Sequence, residues 1–256
     1  VHYSWYENGQ KTMEYNYKNG EDDGLYTRWY ENGQKDYEYN YKNGEADGLY
    51  TKWYKNGQKR KTTNYKGGEK DGLQTEWHEN GKRSTTNYKG DKKDGLYTKW
   101  YKNGQKETEF PLKGKKINGL YTRWYKNGQK TIEYTFKGGE KVGLYTSWYK
   151  NGQEKVKTSY KDNKKDGLYT EWNENGYKLK EETYKGGTLD GLKTEWYKNG
   201  QKYFQQTFKK GKRDGLYTNW YENGQKRVEG IQKGGYWISI KRWNEDGTER
   251  TEPFDD

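Results

Sequence analysis

The chain contains no cysteine, two prolines, two histidines and one methionine in 256 residues. Without cysteine there is no disulfide framework and no thiolate metal site, and the redox state of the compartment leaves no mark on the sequence. Leu, Ile, Val, Met and Ala together contribute 23 residues, too few to fill a thick aliphatic core. No apolar run approaches the roughly 20 residues that a membrane-spanning helix needs, and no signal peptide is visible. The chain opens at Val1 inside a repeated phrase, so its start reads as trimmed or as part of a longer array. Localisation stays open.

Aromatic residues take the place of the missing aliphatics: 12 Trp, 29 Tyr and 5 Phe. Disordered chains of comparable charge are poor in aromatics, so the composition predicts an ordered, thin protein in which stacked rings replace a central core. The net charge of +12 favours anionic partners through long-range attraction. The basic residues are interspersed with 38 acids, however, which excludes a polybasic tail.

The tryptophans set a period. They stand at 5, 29, 53, 77, 100, 124, 148, 172, 196, 220 and 243, with steps of 24 residues except for two of 23, and Trp237 alone is out of register. Asn-Gly follows three residues after ten of them, and a Leu precedes nine of them by four residues. Such a period is the mark of a repeat architecture, here about eleven units. In each unit "LYTRWY" alternates like a strand, "ENGQ" signals a hairpin, "KDYEYNYK" returns, and "NGEADG" closes with residues that tolerate positive φ. No single hairpin buries enough to stand alone. The predicted fold is all-β: an elongated, single-layer, twisted antiparallel sheet of tandem hairpins. Residues 1–227 read as the repeats. Residues 228–256 read as a divergent cap and tail, with Tyr236, Ile238 and Ile240 covering the last edge.

Segregation of apolar residues selects the turn. A three-residue turn, Glu31-Asn32 followed by Gly33 as a bulge, places Leu25, Thr27 and Trp29 on one face with Tyr37, Tyr39 and Tyr41. The reverse face then carries a Tyr–cation–Tyr row in each unit: Tyr26, Arg28 and Tyr30; Tyr50, Lys52 and Tyr54; Tyr97, Lys99 and Tyr101; Tyr121, Arg123 and Tyr125.

The phrase "YKNGEADGLYTKWYKNGQ", Tyr41 to Gln58, resembles the MORN repeat, in particular its bacterial variant. The Tyr-x-x-Gly-x-x-x-Gly core recurs at Tyr17, Gly20 and Gly24 and at Tyr65, Gly68 and Gly72. One unit departs from it, with Pro111 and Leu112 where Asn and Tyr are expected. The resemblance implies an elongated single-layer sheet of hairpins and a role as scaffold, dimerisation module, membrane-associated protein or antitoxin-like component.

Signals for chemistry are sparse. His2 and His78 replace tyrosines of the ladder and read as substitutions within it, not as bases. No catalytic constellation occurs, so no catalytic residue and no cofactor is expected. Asp23, Asp47, Asp71, Asp94, Asp166, Asp190 and Asp214 precede the loop glycine, but a Ca²⁺ site wants six to eight oxygens, and lysines crowd the same loops. They read as turn residues, and no metal is expected. Threonine two residues before nine of the Trp, Thr27 to Thr218, reads as packing.

The Tyr–cation–Tyr rows are the candidate binding face, since rings with interleaved cations can take sugars, headgroups or bases. Glu76, Glu171 and Glu195 interrupt the cation position, which argues against a nucleic-acid track. The expected function is a non-enzymatic repeat scaffold for another protein, antitoxin- or immunity-like in its narrowest form. The alternatives are a module for phospholipid headgroups or glycans, and a fibre element or homo-oligomer pairing through the uncapped first strand.

Overall fold

The structure is a computed structural model and describes residues 1–251; Pro253 and the rest of the tail lie outside the described residues. Every regular element is a β-strand. The chain divides into two compact units, Val1–Gly128 and Gln129–Asp256. Each is an open antiparallel sheet of tandem hairpins, in which a long strand pairs with the one before and the one after. In the first unit Gly24–Trp29, Lys35–Lys42, Gly48–Trp53 and Lys59–Lys66 follow one another in this way. In the second, Lys178–Lys185, Thr188–Trp196, Lys202–Lys209 and Lys212–Trp220 do the same.

The hairpin turn has the expected form. The Gly33 N–H donates to the Tyr30 carbonyl (2.9 Å) and the Tyr30 N–H to that of Gln34 (2.8 Å), with Glu31, Asn32 and Gly33 as the loop. Gly33 sits at φ 80°, a left-handed conformation that glycine alone adopts without strain. Asn32 adds a further lock by accepting from the Gln34 N–H at 3.1 Å.

The faces differ from the expectation. Trp29 pairs with Lys35, but Arg28 pairs with Tyr37, so Asp36 is an extra residue in the returning strand. This second bulge shifts the register by one and exchanges the faces. Tyr26 therefore lies opposite Tyr39 and Arg28 opposite Tyr37, while Leu25 and Thr27 lie opposite Asn40 and Glu38. Rings share a face with the Tyr–cation rows, and Leu, Thr and Trp occupy the other. The same shift recurs beside Trp5, Trp53, Trp100, Trp148, Trp172, Trp196 and Trp220. The hairpin after Trp77 lacks it: Trp77 pairs with Arg83 and Glu76 with Ser84 in unbroken register. The 23-residue step from Trp77 to Trp100 is thus the loss of one bulge residue.

Packing follows from this. Leu112, 9% exposed and standing where a Tyr is expected, is the one buried hydrophobic among the described residues. Tyrosine ring contacts do the work of a core: Tyr26 stacks on Tyr37 (centroids 5.8 Å, planes 7° apart) and Tyr39 leans on Tyr50 (4.3 Å, planes 37° apart). Such pairs are worth about 0.5–1.5 kcal/mol each beyond the area they bury. All nine repeat threonines, Thr27 to Thr218, are buried, at 2–8% exposure, which fits the packing role. In the second unit Trp237 fills the end of the ring face against Tyr217 (5.1 Å, edge-on). Gly230 makes this possible, because a Cβ there would meet the Ser239 carbonyl at 2.3 Å and the Trp237 ring at 2.8 Å.

Neighbouring repeats are joined at the turns. Tyr6, Tyr30, Tyr54 and Tyr101 donate their hydroxyls to the carbonyls of Trp29, Trp53, Trp77 and Trp124 at 2.8–2.9 Å. Tyr149, Tyr197 and Tyr221 do the same in the second unit. Asn8 and Asn32 donate their amides to the carbonyls of Glu31 and Lys55, again one repeat on. Gln34 packs over Gly57, where a Cβ would come within 2.7 Å of its Oε1. Nearly every letter of "WYENGQ" is therefore a contact to the next copy.

Candidate functional site

The Tyr–cation–Tyr rows lie on the ring face of each unit, and their members divide by role. Tyr26 and Tyr50 belong to the ring stack, and Tyr97 and Tyr121 flank Phe110 at 4.7 and 5.4 Å. Tyr30, Tyr54 and Tyr101 are the inter-repeat donors just described, and Tyr125 is half-buried. Lys52 pairs with Asp36 (3.3 Å) and Lys99 with Glu107 (3.5 Å). Arg28 and Arg123 remain exposed, with the Arg28 guanidinium 5.9 Å from the Tyr37 ring centroid.

The bulge adds a residue to this face. Arg60 lies 5.5 Å from the Tyr54 centroid, Lys155 5.3 Å from Tyr149, and Arg227 5.7 Å from Tyr221. Burial pushes the hydroxyls up: Tyr26 to about 12, helped by a hydrogen bond with Tyr37, and Tyr39 to about 12, helped by the charge of Tyr65. Burial comes first for Tyr30 as well, reinforced by Asp36 to about 12. These groups are neutral donors, not nucleophiles.

In the second unit the ring face carries an ion network. Glu182, 3% exposed, accepts from the Tyr184 hydroxyl (2.8 Å) and pairs with Lys180 and Lys193 (3.3 Å each). Burial alone would raise its pKa, but the Tyr184 bond and the two lysines hold it below the ordinary carboxylate value. Lys193 reaches Glu195 at 3.0 Å.

The opposite face was not anticipated as a surface. The nine repeat leucines are 41–52% exposed, one per repeat. Beside them runs a Trp–Lys ladder: Lys35 lies 5.7 Å from the Trp53 centroid, Lys130 from Trp148 and Lys178 from Trp196 at the same distance. Each lysine also pairs with a glutamate three residues on, as Lys35 with Glu38, Lys130 with Glu133 and Lys178 with Glu181. These three charges are therefore locally neutralised, whereas Lys59 and Lys202 at the same position have Thr62 and Gln205 three residues on.

His2 stacks on Tyr15 at 5.1 Å, as a member of the ring ladder. Asp166 accepts from the Gly186 N–H of the following loop at 2.9 Å, so this carboxylate locks a neighbouring turn and not its own. Among the described residues no group of three or more His, Asp or Glu could hold a metal ion, and no helix is long and apolar enough to cross a membrane.

Two solved structures match over 95% of this chain and 18% of theirs, at 10% identity and a TM-score of 0.14: the crystal structures of TcdB2-TccC3 and of TcdB2-TccC3-Cdc42. The chain thus spans about a fifth of the length of those proteins. No curated protein matches. Nine segments match the family described as MORN repeat variant: residues 1–19, 22–43, 46–66, 70–89, 93–113, 117–137, 141–162, 189–210 and 213–233. Together with the hairpin period, these matches place the chain in the MORN repeat variant family, a repeat-scaffold type.

Proposed function

We propose that this MORN repeat protein is a non-enzymatic scaffold that binds another protein along the leucine and tryptophan face, in its narrowest form as an antitoxin- or immunity-like partner. The observation that carries the reading is the row of leucines, Leu25, Leu49, Leu73, Leu96 and Leu120 in the first unit, each 41–49% exposed. Leu25, Leu49 and Leu73 lie opposite Asn40, Asn64 and Asn87, so the row is apolar side chains rimmed by amides, the composition of surfaces that mark protein–protein sites. The pairs Lys35–Glu38, Lys130–Glu133 and Lys178–Glu181 reduce the positive field along that face, which favours an apolar protein surface over a polyanion. Side-chain contacts consume most of the ring face, as set out above.

The test is co-expression with the product of the neighbouring reading frame, followed by size exclusion at high salt. A stoichiometric complex that persists in salt and is lost in a Leu49→Lys, Leu73→Lys variant supports the proposal. A complex indifferent to both substitutions, or none at all, refutes it. Exposed Arg28 beside the Tyr37 ring, with Arg123 exposed at the same position of a later repeat, favours a second reading, a module for phospholipid headgroups or glycans. Its mark would be adsorption to anionic vesicles that weakens steeply with salt. Concentration-dependent elongation would instead mark the fibre alternative.

A further inference from the structure

The ring face changes character at one place in the first unit. The strand Glu69–Trp77 and the residue after it carry Gln74, Glu76 and His78 where the preceding repeat has Tyr50, Lys52 and Tyr54. Three of the row's side chains depart together, and the run of tyrosines in stacked or edge-on contact from Tyr15 through Tyr26, Tyr37, Tyr39, Tyr50 and Tyr65 ends there. An open concavity of about 490 Å³ lies at this break, with Tyr39, Tyr50, Tyr54 and Tyr65 among its walls. That volume falls within the range of small-molecule sites, roughly 300–1,000 Å³.

The charges in its wall are not equivalent. Lys52 is neutralised by Asp36 (3.3 Å) and Lys61 by Glu76 (3.4 Å). Glu76 also accepts from the Gln74 amide at 3.0 Å, so the one carboxylate in the wall is engaged. Arg60, the bulge residue of its hairpin, is exposed and has no ion-pair partner among the described residues. Its guanidinium is held at the mouth by the Tyr54 ring, 5.5 Å away. The Tyr54 hydroxyl is in turn fixed on the Trp77 carbonyl at 2.8 Å, so the platform that carries the guanidinium is itself anchored. A planar guanidinium fork matches two oxygens of a phosphate, and ring faces accept a flat base or the C–H face of a sugar.

We infer that this concavity is a binding site for a small ring-bearing phosphate monoester, a nucleoside or sugar monophosphate, whose phosphate is held by Arg60 with Lys52 and Lys61 flanking and whose ring packs on the tyrosines. The site is independent of the leucine face, and neither reading needs the other.

Isothermal titration of the full chain with adenosine 5′-monophosphate, glucose 6-phosphate, adenosine, glucose and inorganic phosphate tests the inference. Saturable 1:1 binding of one monophosphate is expected, with its uncharged parent and inorganic phosphate each weaker by about tenfold or more. Which of the two monophosphates binds decides between base and sugar. Arg60→Gln, at an exposed position, should weaken the binding by about tenfold or more. Arg227→Gln, at the same bulge position over Tyr221 in the other unit, should leave it unchanged. The inference is overturned if neither monophosphate binds up to millimolar concentration. It is equally overturned if inorganic phosphate binds as tightly as the ester, if Arg60→Gln has no effect, or if Arg227→Gln weakens binding as much.

Discussion

The Tyr30 hydroxyl donates to the main-chain carbonyl of Trp53, 2.9 Å away and one repeat on. A residue two places beyond Arg28, which by type reads as part of a recognition row, is thereby tied into the array itself. Each hairpin is held to the next by the side chain that most resembles a binding residue. Stability in such an array is close to a sum of unit and nearest-neighbour contributions, and these bonds belong to the neighbour contribution.

Tyr30→Phe and Tyr54→Phe keep the rings and remove only that bond. Each should lower the urea midpoint by the equivalent of about 0.5–1.5 kcal/mol with the slope unchanged. Unchanged midpoints in both variants would mean that the bond adds nothing to cohesion between repeats.

Leucine and tyrosine should exchange their usual ranks. Leu73 is 45% exposed, so Leu73→Lys in the free protein should shift stability by no more than about 0.5 kcal/mol. Tyr39 stands in a cluster with Tyr37, Tyr41, Tyr50 and Tyr65, and Tyr39→Ala should destabilise by about 2 kcal/mol or more. Chemical denaturation of the two variants side by side decides the matter. The reverse order would mean that the leucine face, and not the ring face, holds the sheet together.

The bulge residue should be dispensable where a residue farther along the strand is not. Deletion of Asp36 would reproduce the pairing seen after Trp77, where Arg83 follows without a shift, and would remove the Lys52–Asp36 pair. A partly exposed pair of this kind is worth about 0.2–1 kcal/mol, so the deletion variant should fold with a loss of that size. One alanine inserted between Glu38 and Tyr39 instead turns Tyr39 and Tyr41 to the leucine face. That variant should lose cooperative unfolding in the first unit, followed by near-ultraviolet circular dichroism. Equal tolerance of both changes would show that the register is not fixed by the ring face.

Hairpins, period, turn type and the threonine role were legible because each rests on local chemistry: Gly33 for positive φ, Asn32 for the turn, Trp every 24 residues. The faces were misread because a register argument assumes one residue opposite one residue, and Asp36 breaks that count. The sequence did contain the warning. Lys35 and Glu38, like Lys178 and Glu181, are oppositely charged residues three apart in a strand. Such residues point to opposite faces unless a bulge lies between them. The break in the ring face was also visible as Gln74, Glu76 and His78, but the concavity depends on Arg60 and Tyr54, whose approach only the folded sheet shows.

Alkaline pH should unfold the protein through its tyrosines. Burial, the largest cause in each case, pushes Tyr26, Tyr30, Tyr39 and Tyr184 up to about 12, whereas an unfolded chain releases the same protons near pH ~10. Between these values the unfolded state binds fewer protons than the native state. The slope of stability with pH is therefore negative there: the contribution is complete below about pH 10 and is lost as pH climbs towards about 12. Tyrosinate absorbance and far-ultraviolet circular dichroism, followed together, should show the exposed rings ionising first and the stacked ones only as strand signal disappears. Tyr26→Phe with Tyr39→Phe removes two of the responsible groups and should carry the unfolding transition to higher pH. A single tyrosine titration near pH ~10 with intact strand signal would mean that the rings are solvated, and with that the stack would no longer serve as the core.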